Sequence, residues 1–305
     1  MVNIKYKVYM LYHALKNAYN DWRIVCKGQK SKYELLQIAH RLEKGMTLQS
    51  PKTMWGWEKA YRLNRLLDDC EDDFTSVTGK AVLNSYLFSK KNAVSLEDRK
   101  EYDAFLAKTS YISKGLNLKI GGVNLINKII LGEDELSTID TLFKTRHSVR
   151  SFSSTEVLQS DLLKAIELAL RCPSACNRQP FHVYVVDRNV KEKGIGNSIG
   201  YNGNKFLFIT GNMNAFTVGE FNDWIVSPSI FAGYLTLALH AVGIGSCIVR
   251  KDLVCNTPYN KSVRKVCNIP QEEKIILEIA IGYYKDSFRI PVSNRISPEE
   301  AVTFI

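Results

Sequence analysis

Residues 173–186 read PSACNRQPFHVYVV, a polar loop between two prolines that runs directly into a strand-like stretch. β-Branched and aromatic residues fill 181–186, which predicts a strand. The stretches KFLFIT at 205–210 and IILEIAI at 275–281 have the same character. Because 275–281 is almost continuously apolar, we predict that it forms the central strand of a sheet.

Helices are predicted before and after these strands. Capping residues and apolar spacing predict one over about 137–146 and another over about 159–171. A longer one lies in the uncharged stretch SPSIFAGYLTLALHAVGIGSCIV at 227–249, which is long enough to span a bilayer. His240 and the strand-like sequence after Gly243 favour instead a helix buried on all sides in a protein core.

The first 135 residues have a different texture, because their apolar residues recur at three- and four-residue steps. We predict helices over 3–25, between Ser31 and Gly45, from Ser50-Pro51 onward and from Ser95 onward. The chain is therefore predicted to have an all-helical extension over 1–135 and an α+β domain over 136–305. The domain is expected to be an α/β/α sandwich with a mixed central sheet flanked by helices.

Composition narrows the functional classes. Apolar residues make up 45% of the chain and charged residues 24%, as in ordinary soluble proteins. The net charge of +10 favours anionic ligands, but the basic residues are spread along the chain, so we predict neither a nucleic-acid nor a membrane partner. Seven cysteines without a secretory signal predict reduced thiols and a cytoplasmic location. No metal site is predicted, because Cys172, Cys176 and His182 lack the common zinc spacing.

The first motif with chemical potential is RHSVR at 146–150. Arg146 and Arg150 are planar, permanently charged donors, and Ser148 supplies a hydroxyl between them. This combination suits a phosphate-bearing ligand. Surface salt bridges would use the same residues.

The loop at 173–180 is the second motif. Ser174, Asn177 and Gln179 can present donors and acceptors to the edge of a planar heterocycle. Pro173 and Pro180 restrict the backbone at low entropic cost. Ordinary turn chemistry is an alternative explanation.

Two further motifs follow the long apolar stretch. In GIGS at 243–246, glycines allow backbone N–H groups to approach a ligand closely. NRISPEE at 294–300 adds a guanidinium at Arg295.

In this order, the four motifs resemble the nitroreductase family of FMN-dependent oxidoreductases, over about 141–305. The resemblance implies that Arg146 and Arg295 bind the FMN phosphate and that His147 and Ser148 line the ribityl chain. It also implies that Arg150 lies near the pyrimidine end of the flavin, where a cation stabilises the reduced form.

The remaining implied contacts come from the loop and the glycine motif. The family's cofactor-binding loop corresponds here to Pro173, Ser174, Asn177 and Gln179. Ser174 and Asn177 would reach the flavin of the partner subunit, and Gly245 and Ser246 would pack along the isoalloxazine. Asn202 and Asn204 are candidates for an additional asparagine contact at the flavin edge.

The resemblance also implies a mechanism and an assembly. NADH or NADPH and then an electron acceptor would use the same face of the flavin in a ping-pong reaction, with the acceptor a nitro compound, a quinone or a specific metabolite. Flavin N5 would carry the hydride, so no protein residue is predicted to be catalytic. The protein would be a homodimer with the flavin at the interface and the helix at 227–243 near the dyad.

The extension contains HRLEKG at 40–45, which resembles a motif of nitroreductase-like proteins found among bacterial surface-polysaccharide genes. His40 and Glu43 share a helix face, so they form either a proton-transfer pair or a simple helix-end ion pair. A flavin-binding sensor or assembly module, without ordinary turnover, is the alternative function. A Rossmann dehydrogenase is disfavoured, because the glycines at 194–200 are spaced one residue too far apart.

Overall fold

The computed structural model describes residues 4–26, 31–48, 52–71, 73–91, 95–109, 117–188, 195, 203–220, 222–250 and 257–305. The helices of the amino-terminal part are α1 (Ile4–Val25), α2 (Ser31–Met46), α3 (Trp57–Asp68), α4 (Phe74–Lys90) and α5 (Leu96–Leu106). Those of the remainder are α6 (Glu133–Thr145), α7 (Gln159–Ala169), α8 (Asp223–Ala241), α9 (Pro258–Val266) and α10 (Pro298–Ala301). The strands are β1 (Phe181–Asp187), β2 (Lys205–Asn212), β3 (Ile244–Val249) and β4 (Glu273–Tyr283).

Helices α2 to α5 pack around a core of their own. Its fully buried members include Leu35, Leu42, Leu63 and Tyr86. Ser95 caps α5 by accepting a hydrogen bond from the Asp98 amide, as its position in the sequence predicted. The first 106 residues are therefore helical in their described parts, with an apolar centre of their own.

Two helix ends in this region differ from prediction. Gly45 lies inside α2 rather than at its C-cap, and the Trp55 ring occupies the place that a Cβ on Gly45 would take. Helix α3 begins at Trp57, because Met54 and Gly56 before it have positive φ of 61° and 89° and cannot continue a helix. Ser50 and Pro51 lie outside the described residues.

The carboxy-terminal sheet has the strand order β1-β2-β4-β3, and every neighbouring pair is antiparallel. The parallel component is an isolated bridge between Ser148 and Ser246. Strand β4 lies inside the sheet, as its continuous apolar sequence predicted. The fold is α+β.

Helices cover both faces of this sheet. Leu207 and Ile209 of β2 point into a core shared with α7 and α8, whereas Phe206 and Phe208 point into a second core that includes Val263 of α9. This alternation follows from the two-residue period of a strand. The predicted α/β/α sandwich is confirmed.

Helix α8 is the one helix among the described residues that is long and apolar enough to cross a membrane by length and composition. Phe231, Leu235 and Leu239 bury one side of it against the sheet, as in a core helix. The prediction that it is buried on all sides is wrong for a single chain. Its opposite side exposes Val226 (50%) and Tyr234 (44%).

The extension and the sheet domain touch through α1, α2 and the end of β2. Tyr33 of α2 is buried in one cluster with Ala215 and Phe216. Asp21 of α1 pairs with Lys274 at the start of β4. Helix α6 starts at Glu133, before the predicted start at Ser137, because three acidic residues at 133–135 favour a helix N-terminus. The predicted boundary between residues 135 and 136 stays a prediction.

Candidate functional site

The RHSVR and GIGS motifs lie side by side. Helix α6 ends at Thr145 and the backbone turns extended at Arg146. The Val149 amide then donates a hydrogen bond of 2.9 Å to the carbonyl oxygen of Ser246 on β3. Two motifs that are almost a hundred residues apart in sequence are therefore joined at one edge of the sheet.

A histidine lies close behind the first of these motifs. His240 of α8 shares hydrogen bonds of 2.8 Å with the Thr145 hydroxyl and 2.7 Å with the Tyr284 hydroxyl. Burial and the positive charges of Arg146 and His147 lower the pKa of His240. Arg146 and His147 are half-buried here, and the permanently charged Arg146 guanidinium is suited to a bound anion.

Gly245 is required for the close approach of these segments. A Cβ at this position would lie 3.2 Å from the Tyr284 ring and 3.3 Å from the Val149 Cβ. On the other side of the pair, a Cβ on Gly282 would lie 2.6 Å from the Phe152 Cβ. The two glycines face each other in the β3–β4 register, and neighbouring side chains fill the space that a Cβ on either glycine would take.

The other two predicted arginines are exposed. Arg150 donates a hydrogen bond of 3.2 Å to the Ser148 carbonyl, which keeps it beside the motif. Arg295 donates to the carbonyls of Ser293 and Asn294 in the carboxy-terminal tail. A phosphate site that Arg295 would share with Arg146 stays a prediction.

The loop at 173–180 has an unusual backbone. Residues Ala175–Asn177 form a 3₁₀ turn, and Cys176, Asn177 and Gln179 have positive φ of 48–50°. Non-glycine residues in this left-handed backbone conformation cost free energy, and three of them occur here within four consecutive residues. Strain of this kind is concentrated at ligand sites. Ser174 offsets part of it, since its hydroxyl accepts a hydrogen bond of 3.1 Å from the Gln179 amide.

Arg178 holds this loop, and the sequence-based prediction missed it. Its side chain is fully buried and forms a two-pronged ion pair with Glu220, at 2.6 and 3.0 Å. It also donates to the carbonyls of Ala175 and Ala215. The sequence separation of Arg178 and Glu220 does not predict that the two residues form an ion pair. Its only sequence signal is a guanidinium between the two polar residues predicted to bind the flavin.

The predicted cofactor residues form two groups on this chain. Residues 146–150 and 245–246 are in contact, and the loop at 173–180 packs against α2 of the extension instead. No hydrogen bond between described residues connects the two groups. Such a division is expected where a loop serves the site of a partner subunit.

Asn204 lies at the start of β2, near the segment that follows RHSVR. Its amide nitrogen donates a hydrogen bond of 2.6 Å to the Thr155 carbonyl, whereas its buried Oδ1 has no protein partner. This orphaned acceptor suits a donor on a ligand. Asn202 and the glycine pattern at 194–200, apart from buried Ile195, lie outside the described residues.

His40 and Glu43 of the extension make contacts that stabilise the fold. His40 Nδ1 lies 3.1 Å from Glu43, and the second Glu43 oxygen accepts a hydrogen bond of 3.0 Å from the Gly122 amide. Glu43 therefore ties α2 to the chain that leads out of the extension. Within the described ranges, no group of three or more His, Cys, Asp or Glu side chains could hold a metal ion.

A cleft of about 320 Å³ lies between the extension and the loop. Apolar and polar side chains line it, including Leu36, Phe74, Gln179, Phe181, His182 and Glu273. It is adjacent to the predicted flavin loop but does not include the RHSVR motif.

Comparison with known proteins agrees with this geometry. Residues 143–210, which span RHSVR, the loop, β1 and most of β2, match the model of the nitroreductase family. Over 147 residues the chain is 24% identical to an Archaeoglobus fulgidus protein named as a candidate NADH dehydrogenase/NAD(P)H nitroreductase, covering 47% of this chain and 83% of that protein. These similarities support a nitroreductase-family protein.

Solved nitroreductase structures are also similar to the chain. An FMN-dependent nitroreductase of Clostridium difficile is 25% identical, with 54% of this chain and 98% of that one covered and a TM-score of 0.44. A nitroreductase of Bacteroides fragilis with bound FMN is 16% identical, with 55% and 98% covered and a TM-score of 0.43.

Proposed function

We propose that this protein is an FMN-dependent oxidoreductase that uses NADH or NADPH to reduce a conjugated acceptor. The observation that carries the proposal is the hydrogen bond from Val149 to Ser246, which brings the RHSVR and GIGS motifs together beside a positively charged cluster. Family membership supports an oxidoreductase. The acceptor would be a nitro compound, a quinone or a specific metabolite.

The residues present fit FMN. Arg146 and Arg295 would offer guanidinium donors for its phosphate, and His147 and Ser148 would line its ribityl chain. Gly245 and Gly282 allow Val149, Phe152 and Tyr284 to pack closely against β3 and β4, which fixes the position of the RHSVR segment. The unpaired Oδ1 of Asn204 is a further acceptor for an N–H donor at the edge of the ring.

The bound flavin would supply hydride transfer between NAD(P)H and the acceptor in two successive half-reactions. The protein would supply orientation and charge. Arg150 would place a permanent cation near the electron-accepting end of the ring. Pro173, Ser174, Asn177 and Gln179 would form the wall of the site in the partner subunit.

The proposal includes a homodimer in the cytoplasm. The exposed apolar side of α8, with Val226 and Tyr234, is the surface through which two copies would pair. Pairing would bring the loop of one subunit to the RHSVR motif of the other. The predicted absence of nucleic-acid and membrane partners belongs to the same proposal.

The second candidate is a flavin-binding sensor or assembly module without ordinary turnover, linked to surface-polysaccharide biosynthesis. One observation favours it: α2 of the extension packs against the flavin loop through Tyr33 and Ala175. A partner that moved α2 would change the loop. The HRLEKG motif at 40–45 gives the link to polysaccharide genes.

An absorption spectrum taken before and after anaerobic addition of NADPH or NADH tests the proposal. Oxidised-flavin bands that bleach support the reductase. Bound flavin that does not bleach supports the sensor. Protein that takes up no FMN on reconstitution contradicts both.

A further inference from the structure

Arg178 is among the most completely buried charged residues in the described part of the chain. The exposed fraction of its side chain is 0%, although a guanidinium is costly to remove from water. Its guanidinium donates four hydrogen bonds: two to the Glu220 carboxylate at 2.6 and 3.0 Å, one to the Ala215 carbonyl at 2.6 Å and one to the Ala175 carbonyl at 3.0 Å. These hydrogen bonds offset the cost of burying the charge, which indicates a specific structural role for Arg178.

The three partner residues come from two separate segments. Ala175 belongs to the strained loop, whereas Ala215 and Glu220 lie in the turns that follow β2. Glu220 is itself fixed by hydrogen bonds of 3.1 Å from the amide and hydroxyl of Thr217. Arg178 therefore connects the loop to a second, independently braced part of the fold.

The extension covers the outside of this connection. The Phe216 ring stacks under the Arg178 guanidinium at 4.7 Å, and Tyr33 of α2 is buried against Phe216 and Ala215. Ala175 packs on the same cluster. Helix α2 thus shields the guanidinium from water, which strengthens its ion pair.

Arg178 also lies between the two residues with the most demanding backbone. Asn177 before it and Gln179 after it both have positive φ, while Arg178 itself is helical at φ −75°. Neither neighbour gains from this conformation through a described side-chain hydrogen bond. Backbone hydrogen bonds to Ser174 hold both residues in part, and the buried Arg178 side chain between them supplies further contacts.

We propose that Arg178 is a positioning residue for Asn177 and Gln179, which it holds in the conformation that contacts the partner subunit's flavin. The ion pair with Glu220 and the packing of Tyr33 and Phe216 over the guanidinium fix Arg178 itself. This inference rests on the proposed function for its ligand. The hydrogen bonds of Arg178 to Glu220, Ala215 and Ala175, which we call the clamp, act on the loop whether or not FMN is bound. The geometry also gives the helical extension a task, which is to keep water away from the clamp.

Two variants and one matched control test the proposal. Arg178→Met removes the ion pair, Arg178→Lys keeps the charge but loses the two-pronged geometry, and Arg171→Lys changes an exposed arginine at the end of α7. FMN affinity of the apoprotein is measured by flavin fluorescence. Amide hydrogen exchange of the apoprotein is measured over 173–180 and, as an internal reference, over β2.

We expect Arg178→Met to weaken FMN binding at least about tenfold, the equivalent of one lost charged hydrogen bond, and to speed exchange at 173–180 but not in β2. Arg178→Lys should recover part of both effects, and Arg171→Lys should match the wild type. Folded Arg178→Met with wild-type affinity and exchange would overturn the proposal. If Arg178→Met does not fold, Glu220→Gln and Tyr33→Ala must produce the same local increase in exchange, or the clamp is wrong.

The exchange measurement separates this inference from the proposed function. Wild-type protein that binds no FMN would overturn the proposed function and the flavin half of this inference. Unchanged exchange at 173–180 in the Arg178 variants would overturn the clamp, even in a protein that binds FMN.

Discussion

The Val149 amide donates a 2.9 Å hydrogen bond to the Ser246 carbonyl, and this contact positions the RHSVR segment along the edge of β3. It explains why a glycine precedes Ser246. A Cβ on Gly245 would lie 3.2 Å from the Tyr284 ring and 3.3 Å from the Val149 Cβ, so these neighbours would have to shift to accept a side chain.

Substitution of Gly245 should therefore open the site edge. Gly245→Val is expected to lower stability by about 1–3 kcal/mol, as overpacking does, and to weaken FMN binding. Thermal unfolding and flavin titration measure the two effects. Gly219→Ala is the control, because nothing lies within 4 Å of a Cβ there. Equal behaviour of both variants would show that the close packing at Gly245 is unimportant.

The second prediction concerns the charge of Arg146 in the RHSVR motif. Arg146→Gln should weaken FMN binding by about 10- to 100-fold, the value of one charge-assisted contact. Lys144→Gln, an exposed cation two residues earlier that pairs with Asp140, should have little effect. Fluorescence titration at fixed ionic strength distinguishes them. A similar loss in both variants would indicate general electrostatic attraction rather than a phosphate site.

The exposed side of α8 predicts the assembly. Ile230→Glu, in the middle of that side, should convert a dimer into a monomer and remove bound flavin at the same time. Phe88→Glu, at an exposed position of α4, serves as the control. Sedimentation velocity reports the mass and absorbance reports the flavin. A variant that stays dimeric would place the interface elsewhere.

His40 is expected to be dispensable for turnover. Both oxygens of Glu43 are engaged, one with His40 and one with the Gly122 amide, which favours the ion-pair interpretation. His40→Ala should keep normal flavin content and kcat. Glu43→Ala should lower stability by about 1–3 kcal/mol, because the Gly122 amide loses its acceptor. A tenfold loss of kcat in His40→Ala with full flavin would restore the proton-transfer hypothesis.

The Glu220 ion pair predicts a pH dependence of stability. Hydrogen bonds from Arg178 lower the pKa of Glu220 from 4.5 to about 2. The stabilisation is therefore complete above pH 4.5 and is lost as the pH falls toward 2, because the unfolded chain takes up the proton first.

Denaturant unfolding between pH 7 and 3 measures this effect, which we expect to be on the order of 2–3 kcal/mol. Glu220→Gln should remove that share of the acid sensitivity. An identical pH profile in wild type and Glu220→Gln would contradict the assigned pKa.

Much of this protein could be predicted from the sequence. Apolar periodicity located α1 at 4–25, β-branched and aromatic runs located β1 and β2, and four short motifs indicated the family. These features depend on neighbouring residues, so local composition carries them. The helix boundary at Gly45 failed, because the reason for that glycine is the Trp55 ring, ten residues away.

Only the tertiary structure decided which distant residues meet. The contact of Val149 with Ser246, the burial of Arg178 against Glu220 and the one-sided exposure of α8 depend on how sheet and helices pack. Pairing and burial are properties of the folded chain, where the cost of dehydrating a charge is offset only by a partner in the right place. Local sequence therefore specified most of the elements and the chemical groups of the site, whereas packing of the folded chain selected which of those groups act together.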